Sequence, residues 1–122
     1  MSANLEITVG SYASANGRHL SAERLRAALG ITRAELAKLV GVARNTLAAG
    51  TAARKADQAL SPLARILAMA TEMAGSEGQA AIWFKHQPLP GWAGKTAYDL
   101  VAEGKSGEVL KYLESVRAGV YA

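Results

Sequence analysis

Helix start and stop signals recur along this chain, and they constrain its fold more than any other feature. A Ser or Thr followed three residues later by Glu, Gln or Asp can cap a helix, because each side chain binds a backbone N–H that the first turn leaves unpaired. A glycine after the last turn ends a helix, because it adopts the left-handed conformation at little cost. These signals predict helices over 22–29, 33–40 and 97–102, a short one opening at 44–47, one from Ser61-Pro62 to Gly75, one from Ser76 that reaches Trp83-Phe84, and a last one from Ser106.

The composition supports an all-α fold. Half of the 122 residues are apolar and only 6% are aromatic. Alanine, the best helix former, dominates the apolar half. A chain of this length fits one compact domain or two small helical units that share a core.

Several classes of protein are disfavoured by what the sequence lacks. The chain has no cysteine, so it can form no disulfide, zinc–thiolate site or cysteine nucleophile. No signal-peptide pattern and no apolar run near the ~18 residues of a membrane helix is present. We therefore expect a cytoplasmic protein with no membrane segment.

The positive charge is concentrated in the front half of the chain. Residues 18–65 hold nine Lys or Arg against three acidic residues, a surplus of six, whereas residues 76–122 hold five of each sign. The front half is therefore the part expected to attract an anionic polymer.

Residues 32–47, TRAELAKLVGVARNTL, have the spacing of a helix-turn-helix unit. Ala37 allows a close helix crossing, and Gly41 suits the sharp turn. The segment resembles the Xre-like helix-turn-helix, usually written T-x-x-E-L-A-x-x-x-G-V-x-x-x-T-L. It departs from that pattern at Ala43, where a capping Ser is common, and at Gly50, where an apolar residue is expected. The predicted DNA contacts are Arg44, Asn45 and Thr46, pointing outward to bases or phosphates, with Arg33, Arg54 and Lys55 on phosphates.

The back half carries a second pattern. Trp83, Pro88 and Leu89 precede GKTAYDLV at 94–101, and Gly107, Val109, Leu113 and Gly119 follow. This order resembles the toxin-binding region of the MbcA/ParS/Xre antitoxins. The resemblance implies a type II antitoxin whose partner is a RES-domain toxin that consumes NAD. Such a protein is not an enzyme and needs no cofactor. It inhibits by covering the toxin's NAD pocket with its C-terminal region, and it represses its own operon.

The predicted toxin-binding residues follow from this resemblance and from residue type. A tail of small and aromatic residues can enter a cleft, and Arg and Tyr often anchor interfaces. Trp92 could equally cover the local core, and Thr96 is first of all a helix cap. His19 and His86 are isolated, so neither a metal site nor a catalytic site is expected. The candidates are Trp92, Lys95, Thr96, Tyr98, Arg117, Gly119, Val120 and Tyr121.

Together the patterns predict three parts: an N-terminal extension (1–20), an Xre-like unit (21–60) and a toxin-binding unit (61–122). Leu5, Ile7 and Val9 alternate as in a short strand at a dimer contact, or belong to a frayed end. A homodimer is expected, because helix-turn-helix proteins usually bind paired half-sites. The alternative is a stand-alone helix-turn-helix regulator whose back half only dimerises.

Overall fold

The computed structural model describes residue 12 and residues 20–48 and 53–119. Across these ranges the fold is all-α, as predicted, and Pro88 and Thr96 form an isolated β-bridge. The suggested strand over Leu5, Ile7 and Val9 lies outside the described residues. The elements are α1 (Ala22–Leu29), α2 (Arg33–Val40), a 3-10 turn (Arg44–Leu47), α3 (Ala53–Ala74), α4 (Glu77–His86), α5 (Ala97–Ala102) and α6 (Ser106–Arg117).

Local capping chemistry accounts for most of the helix ends. Thr32 opens α2 with the predicted capping box, because Glu35 N–H donates to its Oγ1 and its own N–H donates to the Glu35 carboxylate. Ser76 opens α4 by accepting from the N–H of Gln79. Gly41 closes α2 with φ of 78°, as its position predicts. These predictions are confirmed.

The predicted helix start at Ser61-Pro62 is wrong. Helix α3 runs unbroken from Ala53 to Ala74, with Pro62 in its interior. An interior proline removes one backbone hydrogen bond and costs ~3 kcal/mol. Burial offsets this cost, because Leu60, Leu63 and Ala64 flank the proline and are all buried. The boundary predicted between two units therefore falls inside one helix.

One cluster of buried side chains extends through both predicted units. Helix α3 packs against α4, α6 and the 3-10 turn, while α1 packs against α4 and α2 against α5. Leu25 and Leu36 from the front half meet the same core as Phe84, Leu100 and Val109 from the back half. None of the described helices is long and apolar enough to cross a membrane.

Candidate functional site

The segment predicted to contact DNA bases, Arg44–Leu47, forms a single helical turn. The N–H of Val42 donates to the carbonyl of Ala37 at 3.0 Å and closes α2. Ala43 then supplies no side-chain cap, and Arg44–Leu47 form a 3-10 turn rather than an α-helix. The short turn directs Thr46 inward, where it is only 9% exposed. The prediction that Thr46 points outward toward DNA is therefore wrong.

The other predicted DNA contacts lie on the surface. Arg33, Arg44, Asn45, Arg54 and Lys55 are all exposed. Arg33 is also held by an ion pair, because its Nη2 lies 3.5 Å from Glu23 Oε1.

The carboxylate of Glu23 offsets the positive charge of Arg33 and of Arg26 beside it. The hydrogen bond from Arg26 is the main reason that the pKa of Glu23 is lowered, with the Arg33 guanidinium adding to the effect. Among the predicted DNA contacts, exposed Arg44 lies in the 3-10 turn itself, and exposed Arg54 and Lys55 lie at the start of α3.

In the back half, the loop between α4 and α5 is tightly built. Leu89 N–H donates to the Lys95 carbonyl at 2.9 Å, and Lys95 N–H donates to the Trp92 carbonyl at 3.0 Å. Gly91 and Gly94 have φ of 82° and 85°, and Ala93 between them has φ of 55°. A left-handed alanine costs ~1–2 kcal/mol, so the loop bonds must hold it. The loop thereby fixes the position of Trp92.

Two of the predicted toxin-binding residues, Trp92 and Lys95, meet in one surface cluster. Lys105 Nζ lies 5.6 Å from the centroid of the Trp92 ring, in cation–π geometry. The Glu103 carboxylate accepts from Lys95 at 2.9 Å and from Lys105 at 3.3 Å. These two hydrogen bonds, Lys95 first, lower the pKa of Glu103. Trp92 is half-buried, so it both covers the local core and presents an edge to solvent.

Two other predicted toxin-binding residues, Thr96 and Tyr98, make contacts within the fold. The Thr96 hydroxyl accepts from Asp99 N–H at 3.1 Å, and Thr96 N–H donates back to Asp99, which completes a capping box on α5. The Tyr98 ring meets Phe84 edge-on at 5.8 Å. Burial, with the nearby carboxylates of Glu35 and Asp99, raises the pKa of Tyr98. Tyr98 therefore lies where α5 faces α2 of the front half.

The remaining candidates stand at the far end of α6. Arg117 and Gly119 are exposed, and Gly119, with φ of 86°, donates its N–H to the Val116 carbonyl at 3.0 Å. Val120 and Tyr121 lie outside the described residues. Helix α6 has 12 residues, which corresponds to ~18 Å of helix axis. The candidates therefore form two sites, one at each end of α6, rather than one.

Sequence reasoning missed an apolar groove between α3, α4 and α6. One part of it has a volume of about 200 Å³ and is lined by Met73, Trp83, Tyr112 and Val116 among others. A neighbouring pocket adds Ile82 and shares Ala74 and Trp83 with it. Met73 is 37% exposed, and Ile82 is 55% exposed. Helical spacing could have found Ile82, because it lies midway between the buried Ala80 and Phe84.

The described residues offer no group of three or more His, Asp or Glu placed to hold a metal ion. His86 lies exposed on α4, and His19 is outside the described residues. No family model matches the chain, and no match was found among curated proteins or solved structures.

Proposed function

We propose that this chain is the antitoxin of a type II toxin–antitoxin system. Its partner is a RES-domain enzyme that consumes NAD, and the chain neutralises that enzyme by covering its active site with the C-terminal region. The sequence pattern from Trp83 to Gly119 motivates the proposal. The observation that carries it is the exposed end of α6 at Arg117 and Gly119.

The end of α6 has the chemistry that an active-site cover needs. Helix α6 is anchored in the core by Val109 and Leu113, so its last turn is presented from a fixed base. Arg117 brings a planar guanidinium, which pairs well with phosphate or carboxylate groups. A rigid base lowers the entropy that binding must overcome.

The front half of the same protein would repress its own operon. Exposed Arg44, Asn45, Arg54 and Lys55 support this role, and buried Thr46 is removed from the contact set. With only one 3-10 turn to present, phosphate contacts should dominate over base contacts. DNA binding is then expected to weaken steeply as salt concentration rises.

The decisive experiment measures NAD consumption by a purified RES-domain enzyme encoded beside this chain. Inhibition should become complete near the stoichiometric point when the chain is titrated in. Arg117→Ala should weaken inhibition by about 30-fold, the loss typical of an interface hot spot. Lys111→Ala is the matched control, because Lys111 is an exposed cation on the same helix, and it should inhibit as the wild type does.

A second arm separates the two activities. Arg44→Ala combined with Asn45→Ala should weaken promoter binding and leave inhibition of the enzyme intact. If the enzyme stays fully active at saturating excess while promoter binding persists, the antitoxin proposal fails. The stand-alone regulator is then the remaining interpretation.

A further inference from the structure

The uninterrupted course of α3 through Pro62 brings four polar residues onto one face of that helix. Their successive spacings are four, three and four residues, which at 3.6 residues per turn places them within an arc of about 60°. A helix that began at Ser61 would not hold both ends of this set on one face. We call these four exposed residues the α3 ridge: Arg54, Gln58, Ser61 and Arg65.

The cations of the α3 ridge have no acidic partner among the described residues. No described carboxylate forms an ion pair with Arg54, with Arg65, or with Lys55 beside the ridge. The exposed cations Arg33 on α2 and Lys111 on α6, by contrast, lie 3.5 Å and 4.0 Å from a glutamate oxygen. Their positive charge is offset locally, whereas the charge of the ridge is available to an external anion.

The two acidic residues of α3 are engaged elsewhere. Asp57 is half-buried, and its Oδ1 accepts from the N–H of Leu20 at 2.9 Å. Glu72 comes about two turns after Arg65, and its Oε2 is buried. The part of α3 from Arg54 to Arg65 therefore presents positive charge to solvent that neither carboxylate pairs with.

The residue types of the α3 ridge indicate a nucleic-acid backbone as the ligand. Arg, Gln and Ser side chains are among those that contact phosphate oxygens in protein–DNA complexes. Recognition of single strands, in contrast, relies on stacking of bases on aromatic rings. Neither α3 nor the 3-10 turn contains an aromatic residue. The ridge therefore fits the backbone of a duplex better than a single strand.

The length and position of the α3 ridge also fit a duplex. Arg54 and Arg65 are eleven residues apart, about 16.5 Å along the helix axis. This distance exceeds the ~12 Å width of the major groove, so the two guanidinium groups can reach phosphates on both strands. The 3-10 turn, which carries exposed Arg44 and Asn45, packs against α3 itself. The ridge and the predicted base contacts thus lie on adjoining elements.

We propose that the α3 ridge binds the phosphate backbone of duplex DNA, with Gln58, Ser61 and Arg65 extending the contacts predicted at the start of α3. This assignment rests on the proposed repression of the operon, and it supplies the sequence-independent part of that binding. The C-terminal end of α6 lies beside Met73 and Ala74, at the other end of α3. DNA on the ridge therefore leaves the proposed inhibitory end of α6 accessible.

Fluorescence anisotropy with the promoter duplex and with a random duplex of equal length tests this assignment. Loss of one phosphate contact in Arg65→Ala should weaken binding to both duplexes by about 8-fold at a salt concentration of about 0.1 M. The slope of log K against log salt should become shallower by about 0.9. Arg65→Lys keeps the charge and should keep the slope. Lys111→Ala is the control for net charge, because it removes an exposed cation from α6, and it should bind both duplexes as the wild type does.

A second pair of variants tests the middle of the α3 ridge without removing a cation. Ser61→Glu places a carboxylate between Arg54 and Arg65, and its repulsion of phosphate should weaken binding to both duplexes by at least about 8-fold. Ser61→Gln is the neutral control of similar size and should bind as the wild type does. Because Ser61 and Arg65 are exposed, all variants should keep the circular dichroism spectrum and melting temperature of the wild type.

The outcomes distinguish this assignment from the proposed function. A wild type that binds the promoter, with affinity and slope unchanged in Arg65→Ala and Ser61→Glu, would overturn the α3 ridge and leave operon repression in place. A wild type that binds neither duplex would overturn both, while inhibition of the NAD-consuming enzyme reports on the antitoxin function separately. Tighter binding of an equally long single strand, or loss of enzyme inhibition in Arg65→Ala with DNA binding intact, would assign the ridge to another partner and also overturn the proposal.

Discussion

Two connections in this molecule each lead from one helix to the next element and arrive at different structures. The connection after α2 leads through Ala43 into the 3-10 turn at 44–47, and the connection after α4 leads through Thr96 into helix α5. Ala43 has no side-chain oxygen to bind the free N–H groups of a first turn. Thr96 and Asp99 bind two of them. Since starting a helix is unfavourable, one cap worth ~1 kcal/mol can decide what a short segment becomes.

The same contrast bears on function. The loop after α4 is closed by backbone hydrogen bonds and holds Trp92 and Lys95 in place. The turn after α2 presents Arg44 and Asn45 from a single turn. The surface offered by the back half is therefore the better preorganised of the two.

The largest expected effects test whether the two halves are separable at all. Phe84→Ala in the back half should lower the free energy of unfolding by ~3–5 kcal/mol, and Leu36→Ala in the front half by ~2–5 kcal/mol, because both side chains are fully buried. Since they share one core, each variant should unfold in a single transition in urea, followed by circular dichroism and by tryptophan fluorescence.

Lys111→Ala, on the exposed face of α6, is the control and should leave the urea midpoint unchanged. If either core variant unfolded in two steps, with tryptophan fluorescence and circular dichroism no longer coincident, the halves would be independent. The comparison between the two connections would then concern two domains rather than one.

Removing the caps is expected to have the next largest effect. Thr32→Ala and Thr96→Ala should each lower the free energy of unfolding by ~1 kcal/mol, because each leaves a backbone N–H of the first turn unpaired. Thr→Ser at either position keeps the oxygen and should retain most of the stability. Equal stability of the Ala and Ser variants in urea denaturation would mean that water replaces these caps at no cost.

A smaller effect, of opposite sign, is expected at Ala43. Ala43→Ser restores the missing oxygen and should raise the free energy of unfolding by ~0.5–1 kcal/mol. Residues 44–47 should then gain α-helical character, visible as slower amide hydrogen exchange. If promoter binding also tightened in the same variant, the missing cap would be what limits DNA recognition. Ala43→Val, which adds no acceptor, is the control.

The smallest effect at neutral pH concerns Tyr12. Its hydroxyl donates to Glu77 Oε2 at 3.1 Å, and burial, then the charge of Glu77, raises the pKa of Tyr12 from 10.0 to about 12. The folded state therefore favours the protonated phenol. The contribution of this preference to the free energy of unfolding is fully present below pH 10.0 and is lost as pH rises toward about 12. Tyr12→Phe should lack this alkaline loss in urea denaturation series, and an identical loss in the variant would exclude Tyr12 as its source.

The sequence predicts the features of this fold that depend on neighbouring residues. The cap at Thr32, the box at Thr96 and Asp99 and the turn at Gly41 each depend on residues within one helical turn, and all are found where expected. The prediction at Ser61-Pro62 was wrong because it, too, considered only neighbouring residues. Its local signal is that of a helix start, but the buried side chains on both sides of Pro62 keep α3 continuous.

The candidate sites were less predictable, because the exposure of a side chain depends on how distant elements pack. Thr46 faces inward because the turn that carries it is 3-10 rather than α-helical. Met73 continues the buried stripe of α3, and it is exposed because the packing of α4 and α6 leaves an open groove beside it. Ile82 alone could have been found from helical spacing.

The unbroken helix through Pro62 has a consequence for how such chains can be recombined. A cut at residue 60 would divide α3 and leave Leu25 and Leu36 without the partners they meet through α4 and α5. Grafting the front segment onto an unrelated C-terminal half would therefore transfer an incomplete hydrophobic interior. A recombined chain that still folds therefore has to take α1 through α6 together from the same parent.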